Sequence, residues 1–333
     1  MTIFTGESIA EQLTAWGVGA DFIEYTIAPQ LITYHFNLKN ILQLKKAERL
    51  ADNLGALMRC HVSFLTSSKS DFCLQVARMS KCVVKITDFA EIMKTAPAYS
   101  GIIGTDTDNR QTLATLDDLT HLLIAGTTGS GKSVCLNTLL MSLLCYNAPA
   151  TLVLLLIDLK RVEFTIYKNA PHLIRQVATE PEEAVSVLVW LVAEMERRYK
   201  VMAELGIEKN KGHLKKILLV VDELSDLILT VEKAKPLLIK LLQKARACGI
   251  HVIVATQSPR AKILDGVMLA NLPSRIALTC ASVRESMLIL GHKGAEQLTG
   301  SGDALLKLPN TTKEKRVQVP LITKAQIKKL LNN

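Results

Sequence analysis

The chain lacks the cysteine pattern of a cross-linked or zinc-held fold. Its seven cysteines (Cys60, Cys73, Cys82, Cys135, Cys145, Cys248, Cys280) are odd in number, scattered and never set as C-x-x-C, so neither a disulfide framework nor a zinc site is signalled. A reducing, cytoplasmic setting is expected. The N-terminus does not read as a secretory leader, because Glu7 and Glu11 stand near the start and no basic segment runs into an apolar one. Internal repeats and low-complexity tracts are absent. The longest uncharged stretch, Val134 to Ile157, is interrupted by Asn137, Asn147 and Pro149, which excludes one continuous membrane span. A helix, a turn and a buried strand account for it, and attachment to a membrane would need a partner.

What is present is a chain of 333 residues, room for roughly two domains and a substantial core. Its 40 Lys and Arg against 31 Asp and Glu leave a formal charge of +9, which fits a polyanionic partner or an ordinary solubilising surface. Pro, Gly, Asp and Asn gather between Pro97 and Arg110, marking a boundary. Before it, Leu31 to Phe36 and Asp71 to Ala77 read as strands. Ile41, Leu44, Ala47, Leu50, Ala51, Leu54, Leu57 and Met58 recur at helical spacing between them, so residues 1–100 are expected to form a small α+β domain. The apolar stripe reads as core.

After the boundary, apolar runs at Leu122 to Ala125, Leu152 to Ile157, Ile217 to Val221, Val252 to Ala255 and Ile276 to Thr279 alternate with helical patterns. That order predicts an α/β domain over 101–322 with a mainly parallel sheet. The helix expected from Glu182 to Met202 carries Glu194/Arg198 and Glu196/Lys200 at i, i+4, pairs that read as a solvated face. Thr323 and Gln326 form a capping box opening a short helical tail, 323–333.

The chemistry concentrates in Gly126-Thr127-Thr128-Gly129-Ser130-Gly131-Lys132-Ser133-Val134, between the apolar run ending at Ala125 and the next helix. Cradling phosphates demands several inward backbone N–H groups, and the glycines stand where a Cβ would obstruct them. Lys132 would reach the outer phosphates of ATP. The Ser133 hydroxyl would ligate Mg²⁺ at the start of a helix whose dipole favours the anion. The run Ile217 to Val221 ends in Asp222-Glu223: Asp222 suits a Mg²⁺ partner, and Glu223 suits activating the attacking water. Gln257 follows the next run and reads as a γ-phosphate sensor or as a turn residue. Asp158, Lys160, Arg161 and Glu163 follow another run, either supporting the site and a subunit contact or forming a solvated cluster.

These residues resemble the FtsK/SpoIIIE-type double-stranded DNA translocases, ring ATPases of the RecA-like class. The resemblance runs from Ala28-Pro29-Gln30-Leu31 through the Gly126 to Val134 motif, Ile157-Asp158-Leu159-Lys160-Arg161-Val162-Glu163 and Ala193 to Lys200. It continues in Ala247-Cys248-Gly249-Ile250-His251, Ala255-Thr256-Gln257, Asn271-Leu272-Pro273 and Gly300-Ser301-Gly302-Asp303. It implies a RecA-like P-loop core, ATP and Mg²⁺ as cofactors, double-stranded DNA as partner and a homo-oligomeric, hexameric ring. Arg246, otherwise a cation at a helix end, matches the arginine offered to a neighbouring subunit's nucleotide.

Family basic positions are apolar here at Leu269 and Val283, and Leu159, Ser258 and Met287 also depart from the pattern. Arg260, Lys262 and Arg284 are then expected to carry the DNA contacts, with Lys293 also nearby, unless they are plain surface cations. The chain carries neither the family's membrane segments nor its C-terminal winged helix, which fits a motor serving a phage, plasmid or other mobile element with an unidentified loading or membrane partner. Two other functions fit the same residues: a ring ATPase for protein secretion or conjugative transfer, and an ATP-dependent assembly factor that does not translocate.

Overall fold

The computed structural model describes residues 4–66, 70–78, 82–309, 311 and 314–331. The last two residues of the expected 323–333 tail lie outside them. Among the described residues, no helix is long and apolar enough to cross a membrane.

The chain forms two compact units, Met1–Val84 with Thr105–Gln111, and Lys85–Gly104 with Thr112–Asn333. In the first, strands β1 (Ala20–Ile27), β2 (Leu31–Leu38), β3 (Val62–Thr66) and β4 (Asp71–Ala77) pair antiparallel in the order β1-β2-β4-β3. Helices Gly6–Ala15 and Leu44–Met58 supply Ile9, Leu13, Ala47, Ala51 and Leu54 to a core with Phe36 and Phe72. Phe72 stacks on Phe36 and Phe64 at 5.2 and 5.0 Å between centroids, close packing of large apolar faces. The stripe expected from Ile41 to Met58 is shortened at its start and interrupted at Leu57, while Met58 still packs on the core. Asn40 caps a separate 3₁₀ turn at Ile41–Gln43, and Ile41 and Leu57 are exposed.

The second unit begins at Lys85, ahead of the boundary read at residues 97–110. Residues 85–99 join it because Phe89 and Met93 are buried and Lys85 bridges to Leu321. Its strands are β5 (Ser100–Asp106), β6 (Gln111–Thr115), β7 (Leu122–Ala125), β8 (Leu152–Ile157), β9 (Lys216–Val221), β10 (Ile250–Thr256), β11 (Ser274–Leu278), β12 (Asp303–Lys307) and β13 (Lys315–Gln318). They lie in the order β6-β5-β13-β12-β11-β7-β10-β9-β8. The segment from β11 to β8 is parallel, and β12 and β13 add antiparallel pairs.

Both faces of the parallel part are covered, which is why its strands read as unbroken apolar runs rather than alternations. Leu122 and Ile124 of β7 meet the Lys132–Cys145 helix. Leu123 and Ala125 meet the layer of helices Pro181–Glu204, Ala234–Lys244 and Val283–Leu290. Thr323 and Gln326 make the expected reciprocal cap, at 2.8 and 3.2 Å, and Ile327 of the tail helix is buried beneath the Lys132 helix layer.

The expected solvated face of Pro181–Glu204 is a correction. Arg198 is buried; its Nε donates to Glu194 and its guanidinium also donates to the Cys248 carbonyl at 2.9 Å. Glu196 pairs with Lys240 at 2.9 Å rather than with Lys200. Spacing of four brings two side chains together without fixing which side of the helix faces the next layer.

Candidate nucleotide site

β7 stops at Ala125 and the chain turns through Gly126 to Gly131 into the Lys132–Cys145 helix. Gly131 sits at φ +103°, and a Cβ there would lie 2.7 Å from the Gly302 nitrogen, so only glycine closes this turn. Thr127 is spent on support: its N–H and hydroxyl both donate to the Thr279 carbonyl, at 2.9 and 3.0 Å. Gly302 N–H donates to the Ser130 carbonyl at 2.8 Å, and Val134 packs into the core behind the loop. Among the described residues no acceptor meets the backbone N–H groups of Thr128, Gly129 or Gly131, leaving donors of the kind that bind phosphate.

The helix start delivers Lys132 into the buried centre of the site. Its Nζ donates to the Asp222 carbonyl and to Asp222 Oδ1, both at 3.0 Å. Burial raises the Asp222 carboxyl above its usual range; Lys132 pulls it back, and the charges of Asp158 and Glu163 push it further up. Asp158 and Glu163 therefore belong to this site and not to a solvated cluster. Asp158 Oδ2 accepts the N–H groups of Glu163 and Phe164, both at 2.9 Å, and the turn so formed brings Glu163 Oε1 to 2.7 Å from the Ser133 hydroxyl that donates to it.

Two oxygens, Asp158 Oδ1 and Glu163 Oε2, are buried without a hydrogen-bond partner. Unpaired buried carboxylate oxygens beside a hydroxyl fit a hard cation. Among the described residues no three acidic, His or Cys side chains form a metal cage. The donor set therefore suits Mg²⁺, which is commonly held by one or two protein groups together with phosphate and water.

Glu223, at the end of β9, lies beside the end of β10. Its Oε1 accepts from the Thr256 hydroxyl at 2.6 Å, and the Gln257 N–H lies 3.2 and 3.0 Å from its two oxygens. Gln257 Oε1 accepts from the Thr128 hydroxyl at 2.9 Å. Loop, lysine, both acids and the glutamine thus converge at the carboxyl ends of β7, β9 and β10, the edge where open parallel sheets place ligands.

Arg246 lies at the other edge. It is exposed on the 3₁₀ turn Ala245–Cys248, which precedes β10, and its guanidinium donates to the Asp117 carbonyl at 3.0 Å. The length of β10, seven residues or about 20 Å, separates it from the phosphate loop of its own chain. Beneath it is a buried basic cluster. Lys216 pairs with Asp117 at 2.7 Å, and His251 Nδ1 lies 3.1 Å from the Thr120 carbonyl. Burial pushes His251 down to about 4 and His121 down to about 3, so both are neutral at pH 7.

Arg260 and Lys262 are exposed on the segment leaving β10. Arg284, in the first turn of the helix after β11, and Lys293 are exposed too. Among the described residues none of the four has a side-chain ion pair. The partners Ser225, Asp117 and Lys216 are not visible as site residues in the sequence, and Thr256 and His251 enter only as members of family-like segments.

The sheet order β11-β7-β10-β9-β8, with the glycine turn after β7 and an acid pair at the end of β9, defines a RecA-like P-loop ATPase core. A sequence-family profile described as the FtsK/SpoIIIE family matches residues 83–217 and 208–261, and the chain belongs to that family. It is 36% identical over 343 residues to a DNA translocase FtsK of Campylobacter jejuni, covering 98% of this chain and 36% of the relative. To a DNA translocase FtsK of Clostridium tetani it is 34% identical, covering 97% and 46%. The chain thus spans less than half the length of these curated relatives. Among solved structures, the monomer form of the pCW3 conjugation coupling protein TcpA with ATPγS superposes with a TM-score of 0.67 at 23% identity, over 97% of this chain and 96% of that one. The cytoplasmic domain of the Thermomonospora curvata type VII secretion ATPase EccC gives 0.63 at 23% identity, over 71% and 31%.

Proposed function

We propose that this chain is the motor portion of a translocase that hydrolyses ATP to move double-stranded DNA through a ring of identical subunits, a hexamer. The observation that carries this reading is the separation of Lys132 and Glu223 from Arg246 by the length of the sheet. An arginine held about 20 Å from its own phosphate loop serves a nucleotide only if that nucleotide belongs to a neighbour, and a ring supplies every site with such a neighbour.

Lys132 leaves Asp222 to hold the outer phosphates, the free N–H groups of the loop hold the remainder, and Glu223 orients and deprotonates the attacking water. Ser133, with Asp222 and Glu163 beside it, would hold Mg²⁺, which would supply charge neutralisation of the phosphates. Gln257, bonded to Thr128 of the loop, reports the γ-phosphate to the segment carrying Arg260 and Lys262. These cations with Arg284 grip DNA phosphates without reading sequence.

Displacement of a triplex-forming strand from duplex DNA tests this directly. ATP-dependent displacement by the wild-type chain, absent with Lys132→Ala, is expected. Hydrolysis without displacement, unaffected by long duplex DNA, would transfer the reading to a secretion ATPase or an assembly factor.

A further inference from the structure

We propose that Thr256 is a positioning residue that latches Glu223 to the end of β10, and that duplex DNA drawing on residues 258–262 opens the latch. The inference rests on the assignment of Glu223 as the group that activates water.

The proton inventory at this corner carries the argument. Thr256 has one hydroxyl proton, and the contact to Glu223 Oε1 at 2.6 Å is its shortest, in the range of a hydroxyl bound to a carboxylate. The Thr256 oxygen then accepts, from Ser258 N–H at 3.2 Å and from the Ser225 hydroxyl at 3.0 Å. Ser225 also reaches the Ser258 carbonyl at 3.0 Å, so its single proton is shared between two acceptors on the same short segment.

With Gln257 N–H added, every donor among the described residues that reaches the Glu223 carboxylate comes from Thr256-Gln257. Thr256 and Glu223 are both buried, so water does not compete for these bonds. A carboxylate whose lone pairs are taken by Thr256 and Gln257 has fewer to offer the attacking water. The Thr256 hydroxyl and the Gln257 N–H are covalently continuous with Ser258, Pro259, Arg260 and Lys262, the segment whose cations are exposed and, among the described residues, without ion pairs. A pull of about 1 Å on that segment lengthens a 2.6 Å hydrogen bond beyond the bonding range, and the carboxylate turns to the water. The latch explains how one strand end can join DNA grip to hydrolysis without any group touching both ligands.

Thr256→Val removes the hydroxyl and keeps the shape. Hydrolysis without DNA is expected to rise about tenfold, the population shift carried by one hydrogen bond to a charged group. KM for ATP should stay unchanged, and stimulation by a linear duplex should fall by the same factor. Thr256→Ser, which restores the hydroxyl, should return both values to wild type. An unstimulated rate in Thr256→Val that is unchanged or lower overturns the latch, since a purely structural residue lowers both rates together. If Thr256→Val is not folded by melting temperature, Thr256→Ala is read in the same way. A wild-type rate indifferent to duplex DNA overturns DNA as the opener. Turnover by Glu223→Gln would show instead that the assignment of Glu223 is wrong, whatever Thr256 does.

Discussion

Lys132→Ala perturbs more than phosphate binding, because in the nucleotide-free site the ammonium is the counter-charge of a buried carboxylate. Lys132 and Asp222 side chains are 3% and 4% exposed and 3.0 Å apart, so water cannot replace the lost partner. Removing one member of a buried pair costs about 3–5 kcal/mol. Asp222 recovers part of this by taking up a proton, since burial and its neighbours Asp158 and Glu163 already raise its carboxyl; about 2–3 kcal/mol remains. For a unit of this size that is a fall in melting temperature of about 5–10 °C.

The sign with pH is fixed by the same residue. A carboxyl raised above its unfolded value is protonated more in the folded state, so the deficit of the variant narrows as pH falls toward the folded value. Neutralising both partners, in Lys132→Ala with Asp222→Asn, should recover most of the loss. Scanning fluorimetry without nucleotide, at pH 7.5 and pH 5, checks all three statements. A single variant within about 1 °C of wild type refutes the reasoning, because it means the resting site does not depend on this pair.

Arg246→Ala should bind nucleotide and not turn it over, while subunits of Arg246→Ala and Lys132→Ala mixed in one ring should regain activity; no recovery at any ratio removes support for action in trans. Combined Arg260→Ala, Lys262→Ala and Arg284→Ala should weaken duplex binding without regard to sequence and lower the slope of log affinity against log salt by about one unit per contact, and an unchanged slope would move attention to Lys293. Because His251 and His121 are held at about 4 and about 3 against 6.5 when unfolded, the unfolded chain takes up protons first on acidification. Stability should be full above pH 6.5 and lost progressively down to about pH 4 for the His251 contribution and about pH 3 for that of His121, read as a falling urea midpoint that His251→Gln makes shallower.

The parallel strands were legible because burial on both faces leaves no polar interruption, as in Leu152 to Ile157. The phosphate loop was legible because its glycines answer a steric demand local in sequence. The strand-end acids gained meaning only beside the phosphate loop, and Gln257 stayed open between a sensor and a turn residue. What the sequence does not carry is pairing across the fold. Nothing in Thr256 itself says that its hydroxyl meets Glu223, 33 residues away. Glu194 and Arg198 show their mutual contact in their spacing, but their burial depends on the layer that packs over them. The hairpin of β12 and β13 is short and half polar, with Lys307, Lys315 and Arg316 along it, so periodicity gives it no strong signature.

The turn that carries Arg246 is hooked at both ends to one long helix. Tyr199 donates its hydroxyl to the Lys244 carbonyl at 2.5 Å, and Arg198 donates to the Cys248 carbonyl at 2.9 Å. A side chain mounted this way has little freedom to search for its target, so aim is set by the attitude of the Pro181–Glu204 helix as a rigid beam. If, as proposed, that guanidinium serves the nucleotide of a neighbouring subunit, a tilt of the beam by a few degrees would displace it and change when the neighbour's site is completed. Loosening one hook, for instance with Tyr199→Phe, would leave chemistry intact at each site and blur the order in which the sites fire.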